Sequence, residues 1–102
     1  MVVVLIRTRL RPDPDVAEYE KAGTRMFERA SAMPGFISIK EYASEDGDTF
    51  SLACFESEDA LAAWRNDPEH VAIQHRGREK FYQSYQVQVF APVREYAWTR
   101  RG

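Results

Sequence analysis

One stretch of the chain concentrates the side chains that could do chemistry. Trp64-Arg-Asn-Asp-Pro-Glu-His70-Val-Ala-Ile-Gln-His75-Arg-Gly-Arg-Glu-Lys-Phe-Tyr82-Gln-Ser-Tyr85 holds both histidines and one of the two tryptophans. An imidazole can accept a proton near neutral pH or ligate a haem iron. Trp64 and Phe81 could stack on a flat ring. Arg76 and Arg78 could steady an anion. His70 and His75 are five positions apart, hence about 140° apart on a helix. That is not the four-residue spacing of two zinc ligands, so no one metal is held from one helix face.

The two histidines sit on different faces of that helix. His75 shares its side with Val71, Arg78 and Tyr82, of which Val71 and Tyr82 are expected to be the buried members. His70 shares its side with Gln74, Gly77 and Phe81. Each histidine is either a structural or solvated residue or a pocket-lining base. Trp64 is either core or the wall of a pocket where two helices break. Gly77 inside a helix lets a ligand or another backbone approach, or simply serves packing. The expected catalytic set is His75, Trp64 and His70. Phe81, Arg76, Arg78 and Tyr82 are expected to bind substrate.

Elsewhere the chemistry is thin. Cys54 reads as a small buried hydrophobe. Arg7 and Arg9 share one side of a strand and need partners there, such as Glu41 or Glu56 across strands. The acidic pairs Asp13 and Asp15, Glu18 and Glu20, and Asp46 and Asp48 fit helix caps and solvated faces. No Ser-His-Asp order, phosphate loop or paired-carboxylate motif occurs.

The elements that would position these residues follow from periodicity. Residues 2–10 read as a strand, Val2 to Ile6 being apolar on both parities, and Pro12 ends it. Asp13 is the expected N-cap of a helix over about 14–32, with Pro14 in its first turn and apolar residues at spacings of three or four. Phe36 to Tyr42 and Phe50 to Phe55 alternate as two strands, joined by a hairpin whose turn signal is Asp46-Gly47. Ser57 caps a short helix to about residue 66. Asp67 and Pro68 start another that runs to about residue 82. Tyr85 to Ala91 is the last strand, Val93 to Trp98 a short extension, and Trp98 to Gly102 a flexible tail. The order β-α-β-β-α-β is the split βαβ signature of a ferredoxin-like α+β domain, a four-stranded antiparallel sheet with its helices on one face. One domain is expected over residues 1–102.

Composition bounds the function. With 102 residues, 44% apolar and 29% charged, the chain reads as globular rather than disordered. A net charge of −2 argues against a nucleic-acid binder with a broad basic face. One cysteine excludes an internal disulfide and multi-cysteine metal sites. No run approaches the roughly 20 apolar residues of a membrane span, and no signal peptide is visible, so no membrane partner and a cytoplasmic location are expected. A folded monomer of this size should expose roughly 5,900 Å². Aromatic residues make up 13%, and on that scale they must stack in a core, an interface or a ligand pocket. Both faces of the sheet are apolar, with Phe50, Leu52 and Cys54 opposite Ala53 and Phe55 on the third strand. Two helices cover one face, so a homodimer packed sheet to sheet is expected to cover the other.

The runs Met33-Pro-Gly-Phe36, Ala53-Cys-Phe55-Glu-Ser57, Trp64-Arg-Asn-Asp-Pro-Glu-His70 and Gln74-His-Arg-Gly-Arg78, with Tyr82 and Tyr85, resemble the antibiotic-biosynthesis-monooxygenase family over about residues 2–97. The resemblance implies a dimeric ferredoxin-like protein with a pocket between helices and sheet. It implies oxidation of phenols or quinols by O₂ without metal or flavin, or oxidative haem degradation. Trp64 matches the pocket tryptophan of both branches. The haem branch adds a strand-1 asparagine, where this chain has Arg7 or Thr8, and a haem-ligating histidine, a position that His75 matches across a one-residue gap and Gln74 occupies without the gap. The phenol branch adds an Asn and a Tyr where this chain has Ala60 and His70. Three functions follow: a cofactor-independent monooxygenase on a small aromatic ligand, a haem-binding or haem-degrading protein with His75 as ligand, and a non-enzymatic ligand-binding dimer.

Overall fold

The structure, a computed structural model, describes residues 1–101. Its elements run β1 (Val2–Leu10), α1 (Val16–Ser31), β2 (Phe36–Ala43), β3 (Thr49–Phe55), α2 (Glu58–Arg65), α3 (Pro68–Lys80) and β4 (Tyr82–Phe90). The four strands form one antiparallel sheet in the order β2-β3-β1-β4, leaving β2 and β4 at the edges. The helices lie on one face, as the split βαβ order requires. The second helical segment is two helices, broken between Arg65 and Pro68.

The local chemistry of the chain sets most boundaries. Ser57 caps α2 by accepting from the Ala60 amide, and Asp67 caps α3 by accepting from the His70 amide with Pro68 in the first turn. The first helix starts two residues later than expected. Asp15, not Asp13, is its cap and accepts from the Glu18 amide at 3.1 Å, an Asp-x-x-Glu spacing that leaves Pro14 outside the helix. β4 begins earlier than expected, at Tyr82, because α3 ends on Phe81, whose amide closes onto the Gly77 carbonyl at 2.9 Å. A register shift at Arg9/Leu10 lets β1 reach Tyr82. Between α1 and β2 the chain turns at Gly35, with φ +83°. A Cβ there would lie 2.5 Å from that of Ala60, so the turn needs glycine twice over. The extension expected over Val93 to Trp98 forms neither helix nor strand. The tail expected over residues 98–102 ends on Gly102, outside the described residues.

The core lies between sheet and helices. Val2 and Val4 of β1, Ala53 and Phe55 of β3, Ala30 of α1, and Leu61 and Trp64 of α2 are its buried members. Register separates the faces: Val2 and Val4 pair with Phe55 and Ala53 on the helix side, while Val3, Leu5 and Arg7 pair with Cys54, Leu52 and Phe50 on the outer side. The outer apolar residues are half-buried, as is Cys54, which is not the fully buried hydrophobe expected. Arg9 does not pair with Glu41 or Glu56. Its guanidinium reaches back to the hairpin instead, 2.9 Å from Asp48, because the β2–β3 turn projects toward that end of β1.

Candidate functional site

The side chains singled out from sequence separate into three clusters. The first is the junction of α2 and α3. Trp64 and His70 stack face to face, with ring centroids 4.1 Å apart and planes 4° from parallel, and each is only 8% exposed. The His70 Nδ1–H donates to the Trp64 carbonyl at 2.9 Å, which leaves the lone pair of the neutral ring on Nε2. Burial pushes the His70 imidazole below its ordinary value, against the Trp64 carbonyl and the nearby Asp67, so the ring is held neutral. Beneath it Asp67 caps α3 and takes Arg29 of α1 in a fork, with Nη2 at 2.8 Å from Oδ1. The Arg29 guanidinium holds the Asp67 carboxyl below the usual carboxylate range. This is the joint between helices, closed to a ligand. The face of α3 turned to the core is therefore the one carrying His70, Gly77 and Phe81, while Val71 is exposed, contrary to the assignment made from periodicity.

The second cluster is aromatic. Phe81, 1% exposed, meets Tyr19 edge to face at 5.5 Å, and Tyr82 meets Tyr19 at 6.3 Å and Tyr85 at 5.9 Å. Tyr82 lies across Gly77: a Cβ there would be 2.6 Å from its ring, so the glycine admits a tyrosine rather than a ligand. Burial, with Tyr19 and Glu41 nearby, pushes the Tyr82 phenol up to about 12. Tyr19 is raised too, by burial and Glu41. Both phenols stay protonated at neutral pH. Phe81 is packed away and cannot stack on a substrate.

The third cluster faces outward. Arg78 of α3 donates from Nη2 to His75 Nδ1 at 3.1 Å and from Nη1 to the Tyr85 hydroxyl oxygen of β4 at 3.3 Å. A guanidinium only donates, so His75 Nδ1 accepts and the neutral ring carries its proton on Nε2. The three groups thus present donors: the imidazole Nε2–H, the guanidinium and the phenolic O–H. Tyr85 begins a strip on the helix-side face of β4 that continues through Val87 and Val89. These three are 40%, 46% and 49% exposed, since the helices stop short of this edge. Tyr85 also lines a small cleft of about 260 Å³ with Arg7, Thr8, Arg9, Ser84 and Gln86. Arg76 belongs to neither; it lines an open groove of about 980 Å³ between α1 and α3 with Lys21, Arg25, Glu69 and Ile73.

Sequence reasoning placed His75 and Arg78 on one helix face but missed Tyr85 as their partner. The signal was parity: Tyr85 alternates in phase with Val87 and Val89, hence toward the helices. Among the described residues, no three His, Cys, Asp or Glu side chains gather as a metal-binding group, and no helix is long and apolar enough to cross a membrane.

A β-α-β-β-α-α-β chain with three helices on one face of a four-stranded antiparallel sheet is a ferredoxin-like α+β protein. Within that class the chain belongs to the antibiotic biosynthesis monooxygenase family, whose model matches residues 1–76. It is similar to the uncharacterized protein YqjZ of Bacillus subtilis (strain 168), with 34% identity over 71 residues. That alignment covers 70% of this chain and 62% of YqjZ, so the chain spans less than two thirds of that relative. Among solved structures it is similar to Rv0793 from Mycobacterium tuberculosis, at 27% identity and a TM-score of 0.81, over 94% of this chain and 98% of that one. It shares its fold with SnoaB, a cofactor-independent oxygenase from Streptomyces nogalater, at 18% identity and a TM-score of 0.77, over 92% and 94% of the two chains. The family match ends at Arg76, so Arg78 and Tyr85 lie beyond it.

Proposed function

We propose that the protein is a cofactor-independent monooxygenase that oxidises a small phenol- or quinol-type substrate with O₂ at the His75–Arg78–Tyr85 cluster. The observation that carries this is a set of three donors converging beside an apolar strip. Donors held in place before reaction stabilise charge that develops on oxygen. A flat aromatic ring lies on Val87 and Val89, and its phenolic oxygen meets the guanidinium and the Tyr85 hydroxyl. His75 acts as a donor from Nε2, not as the base, because Arg78 occupies its other nitrogen. The phenol proton leaves directly to solvent, to which His75, Arg78 and Tyr85 are exposed. The electron-rich anion then reduces O₂ itself. For an anthrone-type CH₂ centre, one oxygen atom ends in the new carbonyl and the other leaves with both hydrogens as water.

The membership of the family supports an oxygenase, and SnoaB is a fold neighbour that works without a cofactor. The haem reading needs a tryptophan-walled pocket beside a ligating histidine. Here Trp64 is packed under His70 and the exposed His75 belongs to another cluster, so the residues present do not fit the group. The same proposal takes the protein as a homodimer, its outer apolar face covered sheet to sheet by a second copy.

The test is oxygen uptake on a panel of anthrones and hydroquinones, comparing the wild-type protein with Arg78→Ala and Tyr85→Phe. Turnover that falls sharply in Arg78→Ala supports the site. Turnover on no substrate sinks the activity, and unchanged turnover in both variants moves the site elsewhere. Mixing the protein with haemin adds a check: a Soret shift abolished by His75→Ala would restore the haem reading.

A further inference from the structure

The outer face of the sheet carries a charge that its own strands do not balance. By register, the outward positions include Arg7 and Arg9 of β1 and Lys40 of β2, but no Asp or Glu. Among the described residues, Arg7 makes no ion pair and no side-chain hydrogen bond. Its partners across the ladder are Phe50 of β3 and Gln86 of β4, neither of which can neutralise it. Nearby glutamates are out of reach. Glu41 pairs with Ser51, which pairs with Ile6, so Glu41 lies on the helix side. Glu56 follows the Phe55 that pairs with Val2, at the far end of β1.

Arg9 is fixed in place. Its Nη2 donates to the Asp46 carbonyl at 3.0 Å and meets Asp48 Oδ1 at 2.9 Å. The hairpin turn makes room for it: Gly47 has φ +95°, and a Cβ there would lie 3.3 Å from Arg9 Nη1. The Asp48 carboxylate is thus spent on Nη2, while Nε–H and the Nη1 donors stay free of hydrogen bonds.

The cleft of about 260 Å³ lies against both guanidinium groups. Across the β1–β4 ladder it adds Ser84 opposite Arg9 and Gln86 opposite Arg7, a hydroxyl and an amide that can also donate. Two like charges on one side of a strand repel each other, and an anion between them removes that cost. A guanidinium fork matches two oxygens of a phosphate-like group. The chain as a whole carries a net charge of −2, so its overall field does not gather anions and the attraction is local. A second copy laid on this face does not supply the counter-charge, because its strands bring the same cations and no carboxylate.

We infer that the Arg7–Arg9 cleft binds a tetrahedral oxyanion, as free phosphate or as the phosphoryl group of a small ester, with Ser84 and Gln86 as neutral donors. Arg7 and Arg9 point away from the helices, whereas Tyr85 points toward them, so the site does not rest on the oxygenase reading.

The experiment is calorimetric titration of the full-length chain, at low ionic strength, with inorganic phosphate and with phenyl phosphate. Saturable binding is expected, weakened by about 10- to 100-fold in Arg7→Gln, which loses charge-assisted hydrogen bonds. Gln86→Glu places the missing carboxylate beside Arg7; it should melt no lower than the wild-type chain and bind neither probe. Arg76→Gln, on the groove between α1 and α3, should bind as the wild type does. Tighter binding of phenyl phosphate makes an ester the source, and equal or tighter binding of inorganic phosphate makes it the free ion; both uphold the site. No saturable binding of either probe overturns it. An equal loss in Arg76→Gln also overturns it, since that marks diffuse attraction, as does full binding in Gln86→Glu, the deciding variant if Arg7→Gln fails to fold. Oxygen uptake is not read, so failure of the oxygenase assignment cannot imitate any of these results.

Discussion

His70 and His75 ride on the same helix, five residues apart, and have opposite environments. His70 is stacked on Trp64, hydrogen-bonded to a backbone carbonyl and pushed toward its neutral form by burial. His75 is exposed and meets an arginine and, through it, a tyrosine of the edge strand. The difference comes from helix geometry. About 140° of rotation carries one imidazole into the joint of α2 and α3 and the other over the uncovered end of β4. One face of α3 builds the fold, and the other presents an exposed hydrogen-bonded cluster. A histidine in a small α+β domain is thus assigned by what its second nitrogen meets, not by its presence in a motif.

The contrast is broken most sharply at Trp64. Trp64→Ala removes a buried indole and the stacking partner of His70, and such truncations cost about 3–5 kcal/mol. In a chain of this size that lowers the melting temperature by roughly 12–40 °C. Calorimetry should show this loss, while any activity of the remaining folded fraction persists. A melting point within a few degrees of wild type would mean that the joint is not structural.

Arg78→Ala should give the reverse pattern. The side chain is exposed, so stability should change by no more than about 0.5 kcal/mol. Removal of a charge-stabilising donor should lower kcat by about 10²–10³. Equal loss in kcat and kcat/KM would mark an interaction made in the transition state, whereas a rise in KM alone would make Arg78 a ground-state binding group. An unfolded Arg78→Ala variant would erase the distinction between the two faces.

Gly77 lies between these faces, and its substitution separates packing from helix propensity. Alanine is better than glycine in a helix by about 1 kcal/mol. Its Cβ would come 2.6 Å from the Tyr82 ring, and overpacking of that kind costs about 1–3 kcal/mol. Gly77→Ala should therefore be destabilising by up to about 2 kcal/mol in urea unfolding, and Gly77→Ala with Tyr82→Leu should recover most of the loss. A stabilised single variant would show that Tyr82 can move aside freely.

The fold was legible because its signals are local. Alternation in Phe50 to Phe55, the Asp67-Pro68 start and the Asp46-Gly47 turn each act within a few residues, and together they set the strand and helix order. The site was legible only in part. His75 and Arg78 share a helix face that spacing reveals. Which face turns inward depends on packing against Trp64 of α2 and Tyr19 of α1, contacts that lie outside the helix itself, and periodicity on α3 is weak because its core-facing positions are a histidine and a glycine. Phe81 and Tyr82 fit helix end or strand start equally well by type. Their placement is decided by the close contact at Gly77, which no spacing rule anticipates.

The smallest expected effect is a pH dependence, and it tests the comparison without removing bulk. The folded imidazole of His70 binds its proton less readily than the ordinary value near 6.5, burial being the main cause. As pH falls below about 6.5, the unfolded chain takes up a proton that the folded chain resists, so stability declines with falling pH across that window. Asp67 behaves differently. Its carboxyl is held low by Arg29, so the stability it contributes is present above the ordinary carboxylate value of 3.8 and is lost only as pH drops through its folded value. The two declines are thus separated in pH. Urea midpoints measured from pH 7.5 to 5 should fall in the wild-type chain and in His75→Phe. They should stay flat in His70→Phe, which keeps a ring against Trp64 and removes the titrating group. A slope that follows His75 instead would reverse the roles of the two histidines, and with them the choice of which face of α3 meets a ligand.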